Sequence, residues 1–188
     1  MAKSAKRDDI LKAALTLIVK YDLDHTSMDM IAKEAQVGMG TIYNYFPSKE
    51  NLVNQLYREL QDQMLSALLK EHSPDAPLRE QFFATVRSKF HFYLENPAAA
   101  QFLEQYAYSP IITPETQKSA WKVWQIPTQI MEQGRKQQIV KNLPAIVLIM
   151  LTSSAIYNLV RGHQQGWIPL DDTLIEAVIA ACWDAIKL

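Results

Sequence analysis

An all-α fold is what this sequence predicts. Apolar residues recur at three- and four-residue steps along most of the chain, glycine is scarce at 5 of 188 residues, and most of the 9 prolines fall between the periodic stretches. A convincing strand pattern is absent. The 48% of hydrophobic residues is enough for a packed core, either as one compact domain or as a small head on a larger body.

The elements follow in order. Ile10, Ala13, Ala14, Leu17 and Ile18 mark one face of a helix over residues 4–21, and Lys3, Lys6, Arg7, Lys12 and Lys20 make its other face basic. Short helices are expected over 26–35 and 39–45. A long one follows over 48–70, where Leu52, Leu56, Leu60, Met64 and Leu68 stand four residues apart. The stretch His72 to Pro77 breaks the pattern and reads as a joint. Helical spacing resumes over 78–95 and again to about Tyr108. A helix over 115–138 contains Pro127, which should kink it. Helices over 142–165 and 171–187 close the chain, giving about nine in all.

The bulk numbers exclude several classes. Cys182 is the single cysteine, so neither a disulfide framework nor a multi-cysteine zinc site can form within the chain, and a reducing cytoplasm is the expected location. Asp8 and Asp9 interrupt what would otherwise resemble a signal peptide. The most apolar run, Leu143 to Leu151, is far shorter than the roughly 20 residues that cross a bilayer, so a soluble protein without a membrane partner is expected. Net charge is −1, and residues 1–50 hold seven basic and seven acidic side chains, so any role in binding nucleic acid must rest on local placement.

That placement is found between Thr26 and Leu52, in TSMDMIAKEAQVGMGTIYNYFPSKENL. Two short helices lie about three residues apart, with a third directly after, which is helix-turn-helix spacing. Ile31, Ala32, Ala35, Val37, Ile42 and Phe46 supply a small core. Thr26 is expected to cap the second helix, with Asp29 as an approximate capping-box partner, and the free amides beside Thr26 and Ser27 could hold a phosphate. Ser48 repeats the device at the fourth helix, with Lys49 adding a charge. Between these two clamps, Met39, Gly40, Thr41, Asn44 and Tyr45 could face the major groove of double-stranded DNA while Tyr43 reaches a phosphate.

With IAKEAQV, GTIYNYF and SKENL in place, the pattern closely resembles the helix-turn-helix of TetR-family transcription regulators over about 45 residues, counting the first helix. The resemblance implies phosphate contacts from Thr26, Ser27, Tyr43 and Lys49, with Gly40, Thr41, Asn44 and Tyr45 at or near base edges. It also implies a DNA-binding domain over residues 1–50, and an effector-binding and dimerisation domain over 51–188. Gln36 departs from the family, which often has glycine there, and a left-handed Gln36 would carry roughly 1 kcal/mol of strain. Gly38 stands where the family commonly has a capping Ser or Thr.

In the body, the helix from Asn142 is apolar on every side of its first turns, and the last helix offers Leu174, Val178, Ala181, Cys182 and Ile186 on one broad face. The resemblance implies that these two helices pair with their mates in a homodimer. Aromatic residues are dense, and the expected lining of a cavity for a small-molecule effector is Phe83, Phe90, Phe102, Tyr106, Trp121, Trp124 and Tyr157, with His91 as a polar contact. Arg87 and Lys89 on the same aromatic-rich helix leave an anionic or amphipathic ligand open.

An enzyme is not expected: the four histidines are scattered, and no Gly-rich phosphate loop, local nucleophile signature, metal ligand set or cofactor motif is present. The expected function is a sequence-specific regulator, a repressor that leaves a palindromic operator when a small molecule binds. The alternative is a helical small-molecule-binding protein that has lost specific DNA binding.

Overall fold

The computed structural model describes residues 2–188, with side chains from residue 5 onward, so Lys3 of the basic face lies outside the described side chains. It contains ten helices: α1 Ala2–Tyr21, α2 Met28–Glu34, α3 Met39–Tyr45, α4 Lys49–Glu71, α5 Leu78–Glu95, α6 Pro97–Tyr106, α7 Pro114–Ala120, α8 Lys122–Lys136, α9 Ala145–Gln164 and α10 Asp172–Ile186. The described residues include no strand, only an isolated bridge between Val140 and Lys187. All-α architecture is therefore confirmed, with ten helices where the spacing predicts about nine.

The extra helix comes from the stretch predicted as one kinked element over 115–138. It divides at Trp121, between α7 and α8. Pro127, expected to kink this element, lies inside α8, which runs through it, whereas the division comes six residues earlier. There the Trp124 N–H bonds the Trp121 carbonyl at 3.0 Å, a three-residue closure in place of the four-residue one.

The chain folds into two compact units that do not follow sequence order: Met1–Gln61 with Pro97–Ala120, and Asp62–Asn96 with Trp121–Leu188. In the first unit, α1 packs on α2 and α6. Ile10, Ala14, Ile18, Ile31, Ile42 and Phe46 are fully buried at 0% exposure and form its centre. The segment carrying α6 and α7 is held by side chains acting on backbone. The Tyr106 hydroxyl accepts the Leu23 N–H at 3.1 Å. Asn54, only 4% exposed, donates to the Ile111 carbonyl at 2.7 Å and accepts the Thr113 N–H at 2.9 Å.

In the second unit, α5 packs on α8, α9 and α10. Phe82 meets Trp183 with ring centroids 5.3 Å apart, and Phe90, Leu148 and Ile179 are fully buried. Arg87 on α5 grips Glu176 on α10 through two hydrogen bonds of 2.5 and 2.8 Å, which holds the Glu176 carboxyl below its ordinary pKa. Burial pushes the Cys182 thiol up from its ordinary value, as suits a packed, inert side chain. By length and composition, α9 is apolar enough to cross a membrane, more than the short run read from the sequence suggests. One face of it is core, with Leu148, Ile156 and Val160 no more than 1% exposed.

Candidate nucleic-acid interface

The helix-turn-helix is built from two anchors. On α2, Ile31 and Ala32 are buried, and on α3 only Ile42 is, with Phe46 just beyond it. The turn between the helices closes as a Schellman motif: the Val37 N–H bonds the Ala32 carbonyl at 2.9 Å and the Gln36 N–H bonds the Lys33 carbonyl at 3.1 Å. This places Gln36 in the left-handed region at φ 53°. With Ile42 the one buried residue of α3, Met39, Gly40, Tyr43 and Asn44 are exposed, while Thr41 and Tyr45 are half-buried. Gly38 begins α3 without a side-chain cap.

The cap of α2 differs from expectation. Ser27, not Thr26, is the N-cap, its hydroxyl accepting the Met30 N–H at 3.2 Å. Thr26 is fully buried and its hydroxyl donates to the Asp22 carbonyl at 2.8 Å, so it tethers the end of α1 and is turned away from any phosphate. Asp29 takes no part in a capping box and pairs with Lys33 at 2.7 Å. Ser48 does cap α4, accepting the Asn51 N–H at 3.1 Å. Lys49 is half-buried, and its ammonium donates to the Leu23 carbonyl, which leaves it further donors but ties it to the loop before α2.

The second unit contains an apolar cavity of about 50 Å³. Its wall comes from the end of α4 (Met64, Leu68), from α5 (Phe82, Thr85, Val86, Lys89), from α8 (Val123, Trp124, Pro127, Ile130, Met131) and from α9 (Ile149, Thr152, Ser153, Ile156). Of the eight residues expected to line it, Trp124 alone does so. Phe102 and Tyr106 belong to the first unit, tilted against each other with ring centroids 4.9 Å apart. Phe90 is core at 0% exposure, and Tyr157 packs edge-on against Tyr93 at 6.3 Å. Phe83 lies under the Arg79 guanidinium at 4.1 Å, His91 is half-buried and Trp121 is exposed. Sequence reasoning missed the aliphatic wall. Its one visible signal was a polar side chain recurring within an apolar helical stripe, as Thr85 and Lys89 do beside Phe82 and Val86.

Comparison with known proteins decides the family. Residues 10–56 match the family described as "Bacterial regulatory proteins, tetR family", and residues 77–187 match "Tetracyclin repressor-like, C-terminal domain". The chain belongs to the TetR family of transcription regulators. Among its relatives is an uncharacterized HTH-type transcriptional regulator of Haemophilus influenzae, 27% identical over 99% of this chain and 98% of the other. A TetR family transcription regulator from Marinobacter aquaeolei has a similar solved structure, with a TM-score of 0.91, 28% identity and coverage of 98% and 96% of the two chains. Another from Vibrio parahaemolyticus gives 0.79, 30% identity and coverage of 97% and 99%. The helix-turn-helix of this TetR-family regulator is thus its DNA-binding element, and the relatives and fold are those of transcription regulators.

Proposed function

We propose that this TetR-family regulator is a cytoplasmic homodimeric repressor that grips a palindromic operator and leaves it when a small molecule enters the cavity of its second unit. The presentation of α3 carries the reading: Ile42 is its one buried residue, Met39, Gly40, Tyr43 and Asn44 are exposed, and Thr41 and Tyr45 are half-buried beside them. Asn44 can pair bidentately with adenine, and the Thr41 methyl can meet a thymine methyl. Tyr43, Ser27 and Lys49 supply phosphate contacts; the buried Thr26 does not.

Dimerisation is supported by α9, whose Ile146, Val147, Met150 and Leu151 are 41, 37, 45 and 56% exposed in the single chain. Such a contiguous apolar strip is rare on a monomer surface. Pairing through α9 and α10 covers it, and a twofold dimer presents two copies of α3 to a symmetric site. In functional terms, residues 1–50 read DNA, and residues 51–188 bind effector and partner.

Selection of duplexes from a random library with the purified full chain tests the reading. An inverted repeat protected in a footprint is the expected outcome. Equal retention of all sequences overturns it and leaves a small-molecule-binding protein without specific DNA recognition.

A further inference from the structure

Leu23, in the turn that links α1 to α2, is bonded from two other helices of the first unit. It follows Asp22, whose backbone is left-handed at φ 64°. Its N–H donates to the Tyr106 hydroxyl of α6 at 3.1 Å. Its carbonyl accepts the Thr26 N–H at 3.2 Å, just before the N-cap of α2, and also the ammonium of Lys49, the first residue of α4. Both backbone polar groups of this half-buried residue are thus engaged. Tyr106 is 6% exposed and its ring packs on that of Phe102, so the hydroxyl is held in place by the core of the unit. Its neighbour Gln105 adds an exposed bond of 3.2 Å from its amide to the Asp22 carboxylate.

Tyr106 and Lys49 therefore act on the backbone of one residue from its two ends. A bonded N–H restricts rotation of the peptide before Leu23, and with it the direction in which the Leu23 carbonyl points. That carbonyl takes one of the three ammonium donors of Lys49 and leaves two. A lysine held in this way loses less rotamer freedom when a phosphate arrives than one that swings free. Without the hydroxyl, the Leu23 N–H loses its protein partner, the carbonyl is no longer aimed and Lys49 loses its anchor. We propose that Tyr106 is a positioning residue for DNA binding: acting through Leu23, it holds Lys49 ready for a backbone phosphate. This rests on the reading of Lys49 as a phosphate contact.

Tyr106→Phe removes the hydroxyl and keeps the ring, and a urea unfolding curve checks that the fold is kept. The full chain is titrated over a range of salt with the selected operator and with a scrambled duplex, since a phosphate contact can be made to either. Lys49→Met should weaken binding to both by about tenfold per bound protomer at about 0.1 M salt and lower the salt slope by about one. Tyr106→Phe should weaken both by at least about threefold with a shallower slope, and should add little in the Lys49→Met background of a double-mutant cycle. Without DNA, acetic anhydride should acetylate Lys49 about threefold faster in Tyr106→Phe than in the wild type, read by mass spectrometry. In the wild-type chain alone, the Leu23 amide should be protected from hydrogen exchange; exchange at the rate of an unfolded chain overturns the proposal whatever the variant does. Losses that add in the double variant, or a salt slope and an acetylation rate unmoved by Tyr106→Phe, overturn the positioning role and leave Lys49 as a phosphate contact. A Lys49→Met that binds both duplexes like the wild type overturns the phosphate reading itself, and the positioning role with it.

Discussion

Gln36 holds a left-handed backbone at φ 53° that the Schellman turn between α2 and α3 demands, and a side chain there costs about 1 kcal/mol relative to glycine. Gln36→Gly should therefore raise stability by up to about 1 kcal/mol in urea unfolding, less what the freer unfolded chain takes back. Gly40 poses the opposite case. A Cβ there would meet nothing within 4 Å in the protein, and its φ is not positive, so nothing in the fold asks for glycine. Gly40→Ala should leave the fold as stable or up to about 1 kcal/mol more stable. If the backbone closes on DNA at this point, the same variant should bind operator at least tenfold more weakly in a gel-shift titration; unchanged affinity would show that the groove does not approach there. The left-handed turn was legible from its position in the helix-turn-helix pattern. The fate of Thr26 was not, because adjacent Thr26 and Ser27 are both capping residues, and which hydroxyl turns outward depends on where α1 ends.

At the level of elements, the apolar four-residue spacing of α4 read out directly as burial, Leu52, Leu56, Leu60, Met64 and Leu68 being 0 to 6% exposed. What spacing could not supply is which aromatic faces a void and which faces core, since both present the same periodicity. The cavity is walled largely by aliphatic residues whose pattern is that of ordinary packing. The break at Trp121 was not legible: proline was the one visible disrupting signal, yet α8 runs through Pro127 and the chain divides six residues before it. Long-range clamps are equally silent in sequence. Asn54 behaves as a piece of backbone, satisfying Ile111 and Thr113 from α4 across 57 and 59 residues of chain. Asn54→Ala strands a carbonyl and an amide in a nearly closed environment and should cost about 2–3 kcal/mol in urea unfolding, whereas a loss under 0.5 kcal/mol would mean that the clamp adds little.

At the scale of the whole molecule, the compact units interleave along the chain, with Pro97–Ala120 packed into the unit of the DNA-binding helices. A sequence reading cuts a chain where its pattern pauses, and so it could not see that α6 and α7 return to the head. The dimer belongs to this scale as well. Leu151 is 56% exposed on the apolar strip of α9, so Leu151→Glu should leave the helical fold intact by circular dichroism, give a monomer by light scattering and weaken operator binding more than tenfold. A variant that remains dimeric would move the interface elsewhere.

The proposed function stands on sequence reading by the exposed residues of α3. Titrating a selected operator and a scrambled duplex side by side, at one salt concentration, tests it most directly. The wild-type chain should prefer the operator by at least about a thousandfold, and Asn44→Ala should cost about 1–3 kcal/mol on the operator with little change on the scrambled duplex. Equal affinity for the two duplexes, or an Asn44→Ala that weakens both alike, would contradict it.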